Sequence, residues 1–290
     1  MSPTKTPPLG DGPPGESSLD KSNKTIQAMF AGVAPRYDLL NRVLSGSLDM
    51  WWRRKATRAA LAARDAVVST NGAKGPGEIL DLCCGTGDQA ASLAGRGARV
   101  VGADFCLPML ALAQPKLARA EAARNGAPPQ SAAPLATADA QKLPFPAGRF
   151  SAVTVSFGLR NVANLDLALE EIHRVLQPGG RGIFLEFALP RGPIFGRLYG
   201  FYFKNVLPRI GAVLSPRGSA YNYLPSSVED FPQREGFTSR MAKAGFVDST
   251  YEELSGGTVC LYSGLKNGGL KNGGLKSGTL KEKNHPKETS

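Results

Sequence analysis

The stretch EILDLCCGTGDQAASLAGRGARVVGADFC, residues 78–106, decides how this chain folds. It reads as apolar strand, glycine turn, helix, second apolar strand, then an acid. Residues 78–82 and 99–104 have the short apolar runs of strands. Between them Gly85, Gly87 and Ala90 spell G-x-G-x-x-A. Glycines there let the backbone bend tightly and approach a ligand closely. Right-handed crossovers put such a turn at the carboxyl ends of parallel strands, where open α/β sheets bind ligands. Asp104 ends the second strand, nineteen residues beyond Gly85. A carboxylate at that point can accept both hydroxyls of a ribose. A nucleoside with a free 2′,3′-diol is expected against the turn.

The glycines alone do not say which nucleoside. A dinucleotide would lay its pyrophosphate on the helix N-terminus. Asp88 opens that helix and would repel it, although it also complements the helix dipole. Asp81 lies on the strand four residues before Gly85. Acids on both sides of the turn suit a cation, and S-adenosylmethionine carries a sulfonium and an amino group beside its adenosine. Further on, Asp139 closes a third strand and can accept from an adenine amino group, with Ala140 beside the ring. Leu143, Pro144 and Phe145 can wall the base, or form an ordinary surface turn.

The same alternation extends along the chain. After a helical region over 22–64, strands are expected at 78–82, 99–104, 133–139, 150–157 and 181–188. Helix 164–176 has apolar residues at three- and four-residue steps: Leu165, Leu169, Ile172 and Leu176. Pro178-Gly179-Gly180 is expected to stop it. The last part reads as a helix and two closing strands joined at residues 255–257, a hairpin signal. Strand and helix in alternation give a mostly parallel sheet with helices on both faces.

The chain has 290 residues, 42% of them hydrophobic and 20% charged, enough for one large α/β domain. Residues 1–21 are rich in proline, glycine and serine, and 264–290 repeat GLKNG-like units; both are expected to be disordered. One domain over 22–263 lies between, with a helical cap at 22–65 and a lid or substrate insertion at 190–228. No apolar run is long enough to cross a membrane and no signal peptide is read at the N-terminus. Cys83, Cys84, Cys106 and Cys260 include no C-x-x-C pair, so no metal site is expected and the thiols are expected to stay reduced in a cytoplasm. The net charge of +11 is compatible with nucleic acid or an anionic membrane. No RNA-reading aromatic motif accompanies it, so nucleic acid is not expected as a partner.

Several blocks together resemble the ubiquinone/menaquinone-biosynthesis C-methyltransferases. They are MFAGVAPRYDLLNRVLSGSLDMWWRR (29–54), ILDLCCGTGD (79–88), SFGLRNV (156–162), HRVLQPGGRGIFLEF (173–187), LPRIG (207–211) and YNYLPSSV (221–228). The resemblance covers about 24–264. It implies a Rossmann-like class I methyltransferase with a mostly parallel seven-stranded sheet and an antiparallel closing hairpin. It implies S-adenosyl-L-methionine as cofactor and contacts at Thr86, Asp104, Asp139, Ala140 and Ser156; Asp81, Gly85 and Gly87 join these from the turn itself. The substrate implied is a polyprenyl quinol, methylated on a ring carbon. Three departures stand out: Cys83 and Cys84 replace small residues, Asp49 stands where histidine is usual, and Gln177 where lysine is usual.

Such chemistry requires the quinol hydroxyl to lose its proton and its oxygen to be stabilised. Arg160 follows the fourth strand and is the leading stabiliser, with Asn161 beside it. Against that, Arg160 can simply pair with an acid and Asn161 can cap the next helix. Tyr37, Tyr221 and Tyr223 are candidates for orienting the quinol or relaying its proton. His173 lies mid-helix, away from the cleft ends, and reads as structural. Segment 190–217 has five basic residues, no acid and many aromatics. It suits a lid, and also peripheral contact with an anionic membrane at its inner face. A homo-oligomer is compatible with all of this. The competing readings are methylation of another small lipophilic acceptor, a benzoquinol in place of a naphthoquinol, an NAD(P)-binding oxidoreductase and a nucleic-acid-binding module.

Overall fold

A computed structural model describes residues 21–71, 77–126, 134–192, 196, 200 and 219–268. Three helices come first: α1 (Asn23–Val33), α2 (Tyr37–Ser45) and α3 (Leu48–Asn71), with a 3-10 turn at Ala34–Arg36. The Ser22 side chain caps α1 by accepting from the Thr25 N–H. Gly46, in the left-handed region, ends α2.

The alternating part follows. Strand β1 is Glu78–Leu82, α4 Asp88–Ala94, β2 Arg99–Asp104, α5 Leu107–Asn125, β3 Leu135–Thr137, β4 Phe150–Ser156, α6 Leu165–Val175 and β5 Leu176–Phe187. A 3-10 turn at Leu159–Asn161 separates β4 from α6. Helices α7 (Ser219–Asp230) and α8 (Glu235–Lys243) precede β6 (Phe246–Leu254) and β7 (Val259–Lys266). The seven strands lie in the order β3-β2-β1-β4-β5-β7-β6. β1 pairs in parallel with β2 and β4, while β7 is antiparallel to both β5 and β6.

The sheet is buried on both faces, so its central strands are almost continuously apolar. Successive side chains serve opposite layers. Ile79, Val100, Ile183 and Leu185 pack under Trp52, Ala56 and Ala60 of α3, Leu93 of α4 and Leu117 of α5. Leu80, Leu82, Val101, Val153 and Phe184 pack against Leu169 and Ile172 of α6 and Phe237 and Met241 of α8.

Strands β1 and β2 have the bounds expected. Three details differ. The third strand is short, only 135–137. Helix α6 ends at Val175, before the Pro-Gly-Gly stop, and β5 begins at once. Pro178, Gly179 and Gly180 instead fall at an irregularity where β4 jumps from pairing Phe150 with Leu176 to Ala152 with Arg181. At the other end β7 continues through Lys266, so the basic repeat expected from Gly264 starts inside a strand. No described helix is long and apolar enough to cross a membrane.

Candidate functional site

The strand order reverses beside β1, whose neighbours β2 and β4 lead to opposite halves of the sheet. The carboxyl ends of these strands open a cleft of about 650 Å³, measured out to its mouth. Gly85, Asp104, Asp139, Ala140, Ser156 and Asn161 line it, and so does Tyr37 from the helical cap. The sequence blocks thus bring residues from four separate strand ends and the cap to one place.

Asp104 is the fixed point. Its Oδ2 accepts the Gly85 N–H and its Oδ1 the Cys106 N–H, both at 2.8 Å. Burial raises its pKa, and these backbone donors, with that of Phe105, oppose the rise. Each oxygen keeps a lone pair for a further donor, as ribose hydroxyls would supply. Asp139 is braced by the Gln141 N–H at 2.9 Å. Ser156 Oγ reaches the buried Gln89 at 3.5 Å, and Gln89 in turn donates to Thr57 of α3 at 3.0 Å. Phe30, Phe105, Met109 and Gln141 also line the cleft and carried no signal in the turn motif. Leu143 and Phe145, read as walls for a base, are in the core under α6 instead. The apolar wall near Asp104 is Phe105 and Met109.

The two glycines of the turn act differently. Gly85 has φ +54° and no atom within 4 Å of where a Cβ would sit, so its open face belongs to the cleft. Gly87 has φ +83°, and a Cβ there would lie 2.8 Å from Ala113 and Leu117 of α5. Its missing side chain lets the turn pack against α5. Gly158 faces the loop from the other side: a Cβ there would meet Cys83 at 2.4 Å. The loops after β1 and β4 therefore touch through Cys83 and Gly158. Burial, then the charge of Asp104, push the Cys83 thiol well above its ordinary range. Cys84 is buried behind it and likewise held protonated by burial. Both pack as neutral thiols.

The acids that flank the turn do not face the cleft. Asp81 is buried and accepts from Thr154 Oγ1 at 2.8 Å, while its Oδ2 has no partner. Burial raises its pKa to about 7, against the pull of Thr154 and the Arg53 cation. Asp88 is engaged by Lys116 and Arg42, both at 2.7 Å. Burial alone would raise its pKa, but Lys116, Arg53 and Arg42 together outweigh burial and lower it. Thr86 gives its hydroxyl to Asp38 of the cap at 2.6 Å and accepts from Lys116 at 3.2 Å. Lys116 also pairs with Asp38. Asp38, Thr86, Lys116, Asp88 and Arg42 thus form one charged network joining α2 to the turn. Asp49 belongs to it, buried and paired with Arg42. Asp88 is thus neutralised by Lys116 and Arg42 and is not offered to a further cation.

A second polar corner lies where the 3-10 turn 159–161 meets α7. Arg160 Nη1 donates to Glu186 at 2.8 Å and to the Phe157 carbonyl at 2.6 Å, and its guanidinium lies 5.2 Å from the Phe187 ring centre. Glu186 is wholly buried on β5. Pairing with an acid is therefore part of what Arg160 does. Its Nε remains buried and unpartnered, as do Asn161 Oδ1 and the Tyr223 hydroxyl. Burial pushes Tyr223 up to about 12, with Arg160 opposing, so the hydroxyl keeps its proton. Lys21 feels Asp230, Glu186 and Arg160; burial lowers its pKa. Lys21, expected to close the N-terminal tail, thus lies against this corner. Tyr221 lies in α7, but its side chain is outside the described residues, as is most of segment 190–217. His173 is structural: its ring packs edge-on against Phe246 and its carbonyl accepts from Lys266.

Relatives bear on what this cleft does. Over 239 residues the chain is 47% identical to the demethylmenaquinone methyltransferase of Thermus thermophilus, covering 81% of this chain and 99% of that one. It is 41% identical over 268 residues to the demethylmenaquinone methyltransferase of Deinococcus radiodurans, covering 92% and 100%. It is 40% identical over 252 residues to the ubiquinone/menaquinone biosynthesis C-methyltransferase of a Geobacter species, covering 86% and 99%. Among solved structures, the complex between the Trm112 methyltransferase activator of Haloferax volcanii and a methyltransferase matches at a TM-score of 0.50 and 14% identity, covering 81% of this chain and 97% of that one. That last likeness concerns the fold alone. With residues 18–266 matching its profile, the chain belongs to the ubiE/COQ5 methyltransferase family, whose members are S-adenosylmethionine-dependent C-methyltransferases.

Proposed function

We propose that this enzyme methylates a ring carbon of a prenylated naphthoquinol, converting demethylmenaquinol to menaquinol. The observation that carries the reading is the polar corner beside the cleft: Arg160 Nε, Asn161 Oδ1 and the Tyr223 hydroxyl, all buried and unpartnered. Buried polar groups without partners are rare and commonly await a ligand. The names of the Thermus and Deinococcus relatives support the naphthoquinol, and that of the Geobacter relative extends to the benzoquinol of ubiquinone synthesis.

The cleft suits the adenosine end of S-adenosylmethionine. Asp104 takes the ribose hydroxyls, Asp139 and Ala140 the adenine edge, and Gly85 and Ser156 border the remainder. Thr86 offers its peptide, its hydroxyl being held by Asp38. Asp81 supports the strand end through Thr154. When bound, the cofactor supplies an electrophilic methyl group. The protein's task is then to hold the acceptor carbon at about 3–3.5 Å and in line.

Asn161 lines the cleft, so its Oδ1 can accept from the quinol hydroxyl and fix the ring. As that hydroxyl gives up its proton to water in the cleft, the Arg160 Nε–H and the Tyr223 O–H donate to the oxygen, and the ring carbon, once methylated, sheds its own hydrogen to water as a proton. Donors fixed in place and shielded from water stabilise such charge without reorganising. Glu186 holds the guanidinium in position. Tyr37, edge-on to Phe30 at 6.0 Å, closes the cap side of the ring. The prenyl tail lies in a bilayer, so the reading includes peripheral contact with a membrane.

The test is incubation with labelled S-adenosylmethionine and either reduced demethylmenaquinone or the reduced benzoquinol precursor. Mass spectrometry should show the methyl on the naphthoquinol. Transfer to the benzoquinol alone would overturn the substrate assignment, and transfer to neither would overturn the reading.

A further inference from the structure

Two helices of the cap carry an apolar stripe that no described residue covers. On α2, Leu39 is 59% exposed and Val43 51%. They stand four residues apart, on one side of the helix. Leu48, Met50 and Trp51, at the start of α3, are 46%, 41% and 43% exposed. Large apolar side chains scattered singly on a surface need no explanation, whereas five on two adjoining helices do. Trp51 is placed in sequence beside Trp52, which is buried and donates to Ser255 at 2.9 Å.

Basic residues outnumber acids around the stripe. From Arg36 to Arg64 the chain has seven basic residues and two acids. Both acids, Asp38 and Asp49, are held in internal ion pairs. Arg36 is exposed one turn before Leu39, and Arg54 and Arg58 continue the Trp51 side of α3 into solvent. Lys55 lies 5.3 Å from the Trp51 ring centre. The neighbouring acid, Glu252, is tied to that lysine. Apolar side chains with an interfacial tryptophan, flanked by arginines, are what a helix pair needs to rest on an anionic bilayer.

The geometry points to this α2–α3 face, Leu39, Val43, Leu48 and Trp51 with Arg36, Arg54 and Arg58, as the surface that docks on an anionic membrane. Its purpose rests on the prenyl-quinol reading. Helix α2 carries Tyr37 into the cleft and Leu39 and Val43 outward, so docking by this face sets the cleft beside the leaflet that holds the substrate. This face is a different stretch of chain from the basic aromatic segment 190–217.

The test uses the full chain with vesicles of phosphatidylcholine, with and without phosphatidylglycerol. Co-sedimentation should occur with the anionic vesicles and weaken as salt is raised. The chain has two tryptophans, and only Trp51 is exposed, so emission should shift to shorter wavelength on binding and the shift should vanish in Trp51→Phe. A basic residue near an anionic leaflet contributes roughly a fivefold in partitioning. Arg54→Glu with Arg58→Glu should therefore weaken binding at least about 25-fold. The same pair should leave turnover on a short-tailed quinol in detergent-free solution unchanged. Equal binding to both vesicle types, an unshifted Trp51, or a solution dimer that Trp51→Glu dissociates would each overturn the assignment. Vesicle binding is read without turnover. A chain that docks but methylates no quinol would sink the proposed function and leave this surface standing.

Discussion

Lys116 is the cation at the centre of the network between cap and cofactor turn, and Lys116→Met removes it at nearly constant volume. Its ammonium contacts Asp88 at 2.7 Å, Thr86 at 3.2 Å and Asp38. Exposed pairs are worth about 0–1 kcal/mol, and breaking a buried one costs about 3–5 kcal/mol. The Lys116 side chain is 26% exposed, which puts this site between those limits. A loss of about 2 kcal/mol is the reasonable figure, close to thirtyfold in an equilibrium constant. That loss falls on the contact between α2 and the turn, because Asp38 and Asp88 would then face each other without a shared cation. Phe30 and Tyr37 of the cap line the cleft, so a loosened cap opens the cleft wall. Dissociation of S-adenosylhomocysteine, followed by stopped-flow fluorescence, should speed up by about tenfold or more, with association little changed. Lys116→Arg should restore most of the wild-type rate, and high salt should mimic the methionine variant in part. A purely structural lysine would lower the melting temperature and leave the dissociation rate alone. A rate within twofold of wild type in a folded Lys116→Met would refute the coupling.

Three further outcomes follow from the same contacts. Asp104→Asn should cost about a hundredfold or more in cofactor affinity by calorimetry, since it loses the acceptor pair and turns a donor toward the Gly85 or Cys106 N–H; unchanged affinity would remove Asp104 from the ribose site. Arg160→Ala would leave Glu186 buried without its cation and destabilise the fold by about 3–5 kcal/mol, so Arg160→Lys is the informative change. It keeps the charge and loses Nε–H, and should lower kcat about tenfold or more with the cofactor Kd unchanged. Wild-type kcat would show that Nε takes no part. Asp81 has its pKa raised from 3.8 to about 7 in the folded chain. The folded state therefore binds the extra proton between these values, and stability falls as pH rises through that window, by up to about 4 kcal/mol. Asp81→Asn should flatten this contribution in denaturant titrations at pH 5 and pH 8; an identical slope in both proteins would show that Asp81 does not cause it.

The strands of the alternating part were readable because burial on both sheet faces leaves apolar runs with little ambiguity. Glu78–Leu82 and Arg99–Asp104 stand out for that reason. The third strand was overread: APLATAD is apolar along much of its length, but only 135–137 finds a partner, at the edge of the sheet. The end of α6 was misplaced for a different cause. Pro178 stops helices by rule, yet Leu176 had already turned to pair with Phe150. Tertiary pairing overrode a local signal, and the Pro-Gly-Gly triplet was left to absorb the irregularity.

Cleft-lining residues were legible where their position at a strand end dictates their direction, as for Asp104, Asp139 and Ser156. They were not legible where a neighbour far away in sequence decides. Asp88 looked like an acid offered to a ligand because nothing local reveals that Lys116 and Arg42 neutralise it. Gly87 looked like a ligand-facing glycine because nothing local places Ala113 and Leu117 beneath it. Glu186 was passed over inside an apolar strand, although a charged residue in GIFLEF is itself a signal: an acid is seldom buried without a partner. Arg160, just beyond the end of the adjacent strand, is the cation that pairs with it. The acids around the turn therefore argue for this enzyme class by a different route. Asp88 ties the cap to the turn through Lys116 and Arg42, and Tyr37 of the same cap lines the cleft together with Asn161, beside the corner where Arg160 Nε, Asn161 Oδ1 and the Tyr223 hydroxyl have no partner.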